Sequence, residues 1–349
     1  LNPAFRFDKL PWAGVSRDWG YSSEFLMVYP FSFGYLGVAI FFVISGYCIH
    51  LSHMRNSRDG WTGFFIRRWF RIYPAYLLAI AVFLLVPPWG GIWMNADRLV
   101  QVCASVFAVQ NLSPQHIYGI NPSFWSIAVE IQLYLIYPLL LLLVRWLDWK
   151  RTLILVGTME FMLRVLPYFL ARNDLGMIPF SIRSSPFTYW ASWAVGAYLA
   201  ESHMRNKSSL LARLRFDTPL ILTLVAAQFK LTDPLTFPLC ALTTAIAMDR
   251  LHRGNWRAPD TGIRTLIWKH LSKVGVISYS FYLFHQPILS KVGKSLREML
   301  PPLAIVGCLL LLYPLILMVA RLGHRYLELP SISLGKKAIT YLRARRSTG

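Results

Sequence analysis

Residues 122–146 read PSFWSIAVEIQLYLIYPLLLLLVRW, with the acidic group of Glu130 set among apolar side chains. About 20 apolar residues are enough to cross a bilayer, so the segment predicts a transmembrane helix. A carboxylate at the centre of such a helix costs about 2.5–3.5 kcal/mol or more, and it requires a partner or a polar cavity. Ser126, Glu130, Tyr134 and Tyr137 fall at i, i+4, i+8 and i+11, one face of a helix. Two readings follow: a polar interior site lined by this face, or a hydrogen-bond clamp between helices. Ionisable groups inside membrane segments mark functional sites by default, which makes Glu130 a candidate catalytic residue.

The composition agrees with a membrane protein. Of 349 residues, 55% are hydrophobic and 15% charged, against about 25% charged in a soluble domain. The formal net charge of +20 raises nucleic acid as a partner. The basic residues argue against it, because they sit between apolar runs rather than in one patch or arm. The four cysteines, Cys48, Cys103, Cys240 and Cys308, lie in apolar segments without metal-ligand spacing. They read as small core residues, and no metal site is implied.

The hydropathy pattern predicts an all-α, polytopic transmembrane helix bundle of about nine spans. Their approximate bounds are 34–52, 73–88, 122–145, 152–171, 184–201, 217–231, 234–250, 274–290 and 302–322. The run 97–113 is interrupted by Gln101 and Gln110 and reads as re-entrant or interfacial. Residues 1–349 form one membrane domain in this reading, with an outer segment 1–33, spans over 34–322 and a tail from 323 to 349. The loops 53–72, 145–151, 202–216, 250–273 and 321–349 hold 25 of the 36 lysines and arginines, and the opposite set holds 10. The positive-inside rule makes the first set cytoplasmic, places the C-terminus inside and residue 1 outside. An odd number of spans with an outer start and no leader leads us to expect a preceding span absent from this chain. A true outer start is the alternative.

Arg68 and Arg71, in FIRRWFRIYP (65–74), are three apart and share a helix face at a cytoplasmic mouth. Paired guanidiniums suit phosphate groups, although for these arginines alone ordinary positive-inside anchoring is the favoured explanation. In SYSFYLFHQP (278–287), Ser278, Tyr282 and His285 share a face. His285 is a candidate base or a satisfied structural histidine. Glu160 and Arg164 form an i, i+4 pair read as structural. His116 lies in an outer loop without an assigned role.

Five segments in register resemble acyltransferase family 3, a family of membrane proteins. They are FFVISGYCI (41–49), RRWFRIYPAYL (67–77), FWSIAVEIQLYLIYPLL (124–140), ISYSFYLFHQPI (277–288) and RYLELPS (325–331). The resemblance implies ten core spans and an O-acyltransferase working at a cell inner membrane. It implies acyl-CoA as the cytoplasmic donor and a hydroxyl of an exported glycan or similar molecule as the acceptor. It implies that Arg68 and Arg71 match an RxxR element at the donor mouth, that Glu130 matches the glutamate of a WSxxxE segment, and that His285 matches the histidine of a SYxxYxxH segment. One element of the family has no counterpart here. In its first span an arginine is followed eleven residues later by a histidine, which the resemblance makes the family's base; no arginine here has a histidine at that spacing, and the match begins where the second span belongs. Two other readings stand beside the enzyme: an inactive or truncated family remnant, and a transporter or flippase in which Glu130 and the Glu160–Arg164 pair serve as coupling groups.

Overall fold

The computed structural model describes residues 29–85, 97–173, 177–254, 261–297, 299–300 and 302–347. Among these the regular elements are helices: α1 Gly37–Arg55, α2 Gly60–Leu85, α3 Arg98–Val106, α4 Phe124–Arg172, α5 Trp190–Met204, α6 Asp217–Ala226, α7 Asp233–His252, α8 Gly262–Val276, α9 Ser278–Arg297, α10 Pro302–Leu311, α11 Tyr313–Gly323 and α12 Leu329–Ser347. Among the described residues four helical runs are long and apolar enough to cross a membrane: Phe33–Arg55, Ser57–Leu85, Phe124–Pro167 and Gly307–Arg345. The fold is all-α and multi-pass in character, and the count of nine spans does not emerge from it. α5 and α6 have 15 and 10 residues. α7 and α9 reach 20 each but are diluted by threonine, serine, aspartate and basic residues.

Two expected spans, 122–145 and 152–171, run together as α4, whose 49 residues at 1.5 Å each far exceed a hydrocarbon core of about 30 Å. The helix breaks at Asp148, with φ 67° and ψ 171°. Aspartate tolerates positive φ better than most residues. Its Oδ1 accepts the backbone N–H of Arg151 at 3.0 Å, three residues on, as an N-cap does for a new helix. The break falls inside the basic loop expected at 145–151.

By backbone contacts the chain divides into two compact units. Unit 1 comprises Leu1–Met54, Asn111–Pro114 and Val129–Arg257, and unit 2 comprises Arg55–Gln110, Gln115–Ala128 and Ala258–Gly349.

In unit 1, α1 and α5 cross on glycine. A methyl group on Gly46 would lie 1.9 Å from the carbonyl oxygen of Trp193, and one on Gly196 would lie 1.9 Å from that of Val43. Lipid gives helices no hydrophobic reason to associate, so close backbone approach at small residues supplies packing instead. Val43, Tyr198, Leu199, Ala241 and Ala245 are buried together around this crossing. The Glu160–Arg164 pair is the clamp expected from its spacing. Arg164 Nε lies 3.1 Å from Glu160 Oε1. The carboxylate also accepts the Ser192 hydroxyl at 2.9 Å and the Ser192 N–H at 3.1 Å. The guanidinium donates to the Thr188 carbonyl at 2.7 Å and lies over the Phe237 ring.

In unit 2, α12 packs along α2 and α11 along α9. Gly335 seats α12 against Phe70, where an added methyl group would come within 2.8 Å of its Cβ, and the Ser331 hydroxyl bonds the Phe70 carbonyl. Within the segment 323–349, expected as a tail, Leu329–Ser347 is a helix packed on α2. Glu328 stands at the start of α9, accepting the Ser280 N–H at 3.0 Å and also the Ser280 hydroxyl. α3 has nine residues, about 14 Å, which is short of a bilayer crossing. The two glutamines that interrupt its apolar run are buried and tied inward. Gln101 Nε2 donates to the His116 carbonyl at 2.9 Å, and Gln110 Nε2 to Tyr76 and to the Phe124 carbonyl at 3.1 Å each. Of the expected outer segment 1–33, residues 1–28 lie outside the described residues, and Tyr29–Leu36 is a 3-10 helix.

Candidate functional site

Glu130 is buried in unit 1 and its charge is met by hydroxyls. Oε1 accepts the Ser45 hydroxyl at 2.8 Å and the hydroxyl of Tyr134, one turn further along α4. Trp193 Nε1 in turn donates to Ser45 Oγ at 3.2 Å. Three helices contribute: α1 brings Ser45, α4 brings Glu130 and Tyr134, and α5 brings Trp193. The glycine crossing sets α1 and α5 close enough for the indole to reach the serine. Neutral hydroxyl donors stabilise a carboxylate without cancelling its charge, so the site can still attract a proton or a hydroxyl group.

The same unit holds a second buried chain of polar groups. His50 Nδ1 lies 2.9 Å from the Tyr137 hydroxyl, and His50 Nε2 lies 3.2 Å from Glu201 Oε2. Trp149 Nε1 donates to the same Glu201 oxygen at 2.8 Å, and Arg205 pairs with Oε1 at 2.8 Å. With Glu201 accepting, His50 is protonated on Nε2 and receives the tyrosine proton on Nδ1. Both ring nitrogens are thereby engaged. Of the face read from sequence, Tyr134 serves Glu130 and Tyr137 serves His50.

His285 lies in unit 2, half-buried on α9. Its Nδ1 lies 2.9 Å from the Tyr282 carbonyl oxygen, which can only accept, so Nδ1 carries the proton. Nε2 is then the basic nitrogen. The ring stacks on Phe281, with centroids 5.6 Å apart and planes 11° from parallel. The segment preceding α4 is stitched to α9 around this residue. Asn121 Nδ2 donates to the Leu283 carbonyl at 2.9 Å, Ser123 bonds Gln286, and Ser126 Oγ lies 2.5 Å from the Tyr282 hydroxyl. Ser126, placed with Glu130 by sequence, is thus engaged in unit 2. These bonds hold the imidazole between one residue on each side that is fixed to another element.

Arg68 and Arg71 are on α2, in unit 2. Arg68 is half-buried with its guanidinium 5.9 Å from the Phe64 ring centroid, and Arg71 is exposed. The adjacent Arg67, not singled out in the sequence, turns to Asp59 instead. His116 keeps to its loop, where its carbonyl receives Gln101. The structure therefore places Arg68, Arg71 and His285 in one unit and Glu130 in the other. Sequence reading missed Ser45, Trp193, His50, Glu201, Asn121, Ser123 and Gln286. A signal existed for His50: it is an ionisable residue inside the expected span 34–52, under the same rule that marked Glu130. The short polar residues carried none, since nothing in their spacing names their partners.

A family model described as an acyltransferase domain matches residues 10–321. Nodulation protein 10 of Rhizobium leguminosarum bv. viciae is 34% identical over 144 residues, covering 36% of this chain and 37% of its own. Acyltransferase MdmB of Streptomyces mycarofaciens is 24% identical over 276 residues, 72% of this chain and 67% of its own. The protein named Putative O-acetyltransferase SACOL0978, of Staphylococcus aureus (strain COL), is 25% identical over 347 residues, 88% of this chain and 54% of its own. The matched part thus spans from about a third to two thirds of these relatives' lengths. No solved structure matches the chain.

Proposed function

Because the chain belongs to acyltransferase family 3, matched over residues 10–321, we propose that it is a membrane O-acyltransferase in which His285 is the base and Glu130 binds the acceptor. The donor is acyl-CoA, entering on the Arg68 and Arg71 side, and the acceptor is a hydroxyl of an exported glycan or similar molecule. The site is that of an inner-membrane protein whose basic loops face the cytoplasm. One family match running through both compact units supports reading 1–349 as one functional domain. The name of the staphylococcal relatives supports acetyl as the group moved.

The observation that carries the reading is the imidazole of His285, whose tautomer is fixed with Nε2 as the basic nitrogen. In the reaction Nε2 takes the proton of the acceptor hydroxyl as its oxygen attacks the thioester carbonyl carbon. The carbon–oxygen bond forms, the carbon–sulfur bond breaks, and the departing thiolate takes the proton back from the imidazolium. The products are the acyl ester and free coenzyme A. Glu130 is a buried carboxyl group that already accepts hydroxyls, which suits it to hold a hydroxyl-rich acceptor. Arg68 and Arg71 offer guanidinium donors to the donor's phosphates.

The test is transfer of labelled acetyl from acetyl-CoA to cell-envelope glycan in membranes carrying the protein, with His285→Gln beside it. Removing a general base lowers a rate by about 100- to 10,000-fold. Wild-type rates in a well-inserted His285→Gln protein would remove the histidine from the mechanism.

A further inference from the structure

The turn of α2 that carries Arg68 and Arg71 also carries a pair of stacked rings. Trp69 and Tyr73 are four residues apart, on one face of the helix. Their ring centroids lie 4.0 Å apart, with the planes 13° from parallel. Tyr73 therefore covers one face of the indole, yet Trp69 remains 50% exposed. The pair is held from within unit 2. The Tyr73 ring meets Tyr76 edge to face, with centroids 6.2 Å apart. Tyr76 is buried and donates its hydroxyl to the Ser105 carbonyl at 2.8 Å. The result is a flat aromatic surface, backed by a second ring, with the exposed Arg71 in the same stretch of helix. Nucleobases stack on such rings while basic groups meet the attached phosphates.

An alternative role for Trp69 is that of an interfacial anchor, since tryptophan is enriched where a membrane meets water. An anchor accounts for the exposure. It requires neither a nearly parallel partner nor a guanidinium on each side within one turn. Trp61, at the start of the same helix, shows the contrast. It is 40% exposed, and its neighbours Phe64 and Phe65 meet it at 82° and 35° rather than stacking on it.

The position of the rings relative to His285 points the same way. The Tyr279 hydroxyl, near the start of α9, donates to the Ile72 carbonyl at 2.9 Å, and further along both helices the Phe284 and Phe83 rings lie 5.9 Å apart. α9 thus runs beside α2 in the same direction and brings His285 to the level of Phe83. From Trp69 to that level is about 21 Å of helix at 1.5 Å per residue. A ligand that engages both must be long, with a planar ring at one end and its reactive carbonyl at the other. An acyl-CoA has that build.

We infer that Trp69, backed by Tyr73, takes the adenine ring of the donor by stacking, beside the arginines that meet its phosphates. The adenine assignment rests on the acyl-CoA donor proposed above, while the stacking surface rests on the rings alone.

The purified full chain in phosphatidylcholine nanodiscs is titrated with coenzyme A and with 4′-phosphopantetheine, the part of the same molecule that lacks the adenosine. Wild type is compared with Trp69→Leu, Trp69→Phe and Trp61→Leu. Wild type binds coenzyme A more tightly than the fragment. Trp69→Leu loses about tenfold in coenzyme A affinity and keeps its affinity for the fragment, which never makes the stacking contact. Trp69→Phe, smaller but aromatic, falls between, and it carries the test if the leucine variant folds poorly. Trp61→Leu binds both ligands as wild type does. A loss in Trp69→Leu that is equal for both ligands, or matched by Trp61→Leu, makes Trp69 an anchor and overturns the inference. A folded Trp69→Leu protein with wild-type affinity for coenzyme A overturns it too, and in both cases the donor reading stands. A wild type that binds neither ligand sinks the donor reading and the adenine site with it.

Discussion

Replacing Glu130 separates its charge from its structural part. Glu130 Oε1 is the acceptor for the hydroxyls of Ser45 and Tyr134. In Glu130→Gln an amide oxygen takes that place, with the same reach and the same two donors. Stability should change by less than about 1 kcal/mol, since hydrogen bonds between membrane helices average about 0.6 kcal/mol and reach about 1.7. In Glu130→Ala both hydroxyls lose their acceptor inside a buried site, and a small cavity opens. With about 1–3 kcal/mol for each of the two unmet buried groups as the upper bound and the membrane values as the lower, the loss is about 1–6 kcal/mol in total. Thermal unfolding in detergent should therefore place Glu130→Gln near wild type and Glu130→Ala several degrees lower. Acyl transfer should fall in both. A charge-assisted hydrogen bond to a substrate hydroxyl is worth about 1.5–3 kcal/mol, at least a tenfold loss in Glu130→Gln. A Glu130→Gln protein that melts and transfers like wild type would refute the reasoning and leave Glu130 as a clamp alone.

The remaining predictions concern the donor side, the helix crossing and the topology. Arg68→Ala with Arg71→Ala should weaken coenzyme A binding at least tenfold in a protein that still inserts, with lysine replacements restoring only part, as a titration will read. Gly196→Ala should be among the most damaging small substitutions in unit 1, because its methyl group meets the Val43 carbonyl at 1.9 Å. Melting should drop sharply, whereas Gly157→Ala, with nothing within 4 Å, should melt near wild type. Reporter fusions after residues 150, 208 and 345 should report the cytoplasm and fusions near 115, 178 and 296 the exterior, and an inversion of that pattern would break the orientation drawn from the basic loops.

The sequence made the class of fold readable because the bilayer imposes one backbone solution on long apolar runs. It also pointed to Glu130, His285 and the Glu160–Arg164 pair, since an ionisable group among apolar neighbours is conspicuous. What it could not supply was partnership. Ser126 and Glu130 share a face by spacing, yet Ser126 bonds Tyr282 in unit 2 while Glu130 bonds Ser45 in unit 1. Asp59 reads as one acid in a basic loop until Arg343, 284 residues away, is seen beside it. The count of nine spans is not confirmed: four helical runs among the described residues are long and apolar enough to cross a membrane. Leu312 separates α10 from α11, and Asp148 interrupts α4. The helix over 329–347 was hidden because its lysines and arginines mask the small residues that let it pack. Gly335 and Ser331 seat α12 on Phe70, a partnership that their spacing does not name.

The central claim is acyl transfer through His285. It is tested most directly by the pH profile of labelled acetyl transfer from acetyl-CoA to envelope glycan, measured in membranes with wild-type protein and with His285→Gln. The account predicts a wild-type rate that rises with pH as an imidazole loses its proton, and a variant whose residual rate is at least 100-fold lower and has lost that rise. A variant that keeps the wild-type profile, at normal membrane levels, would contradict the account.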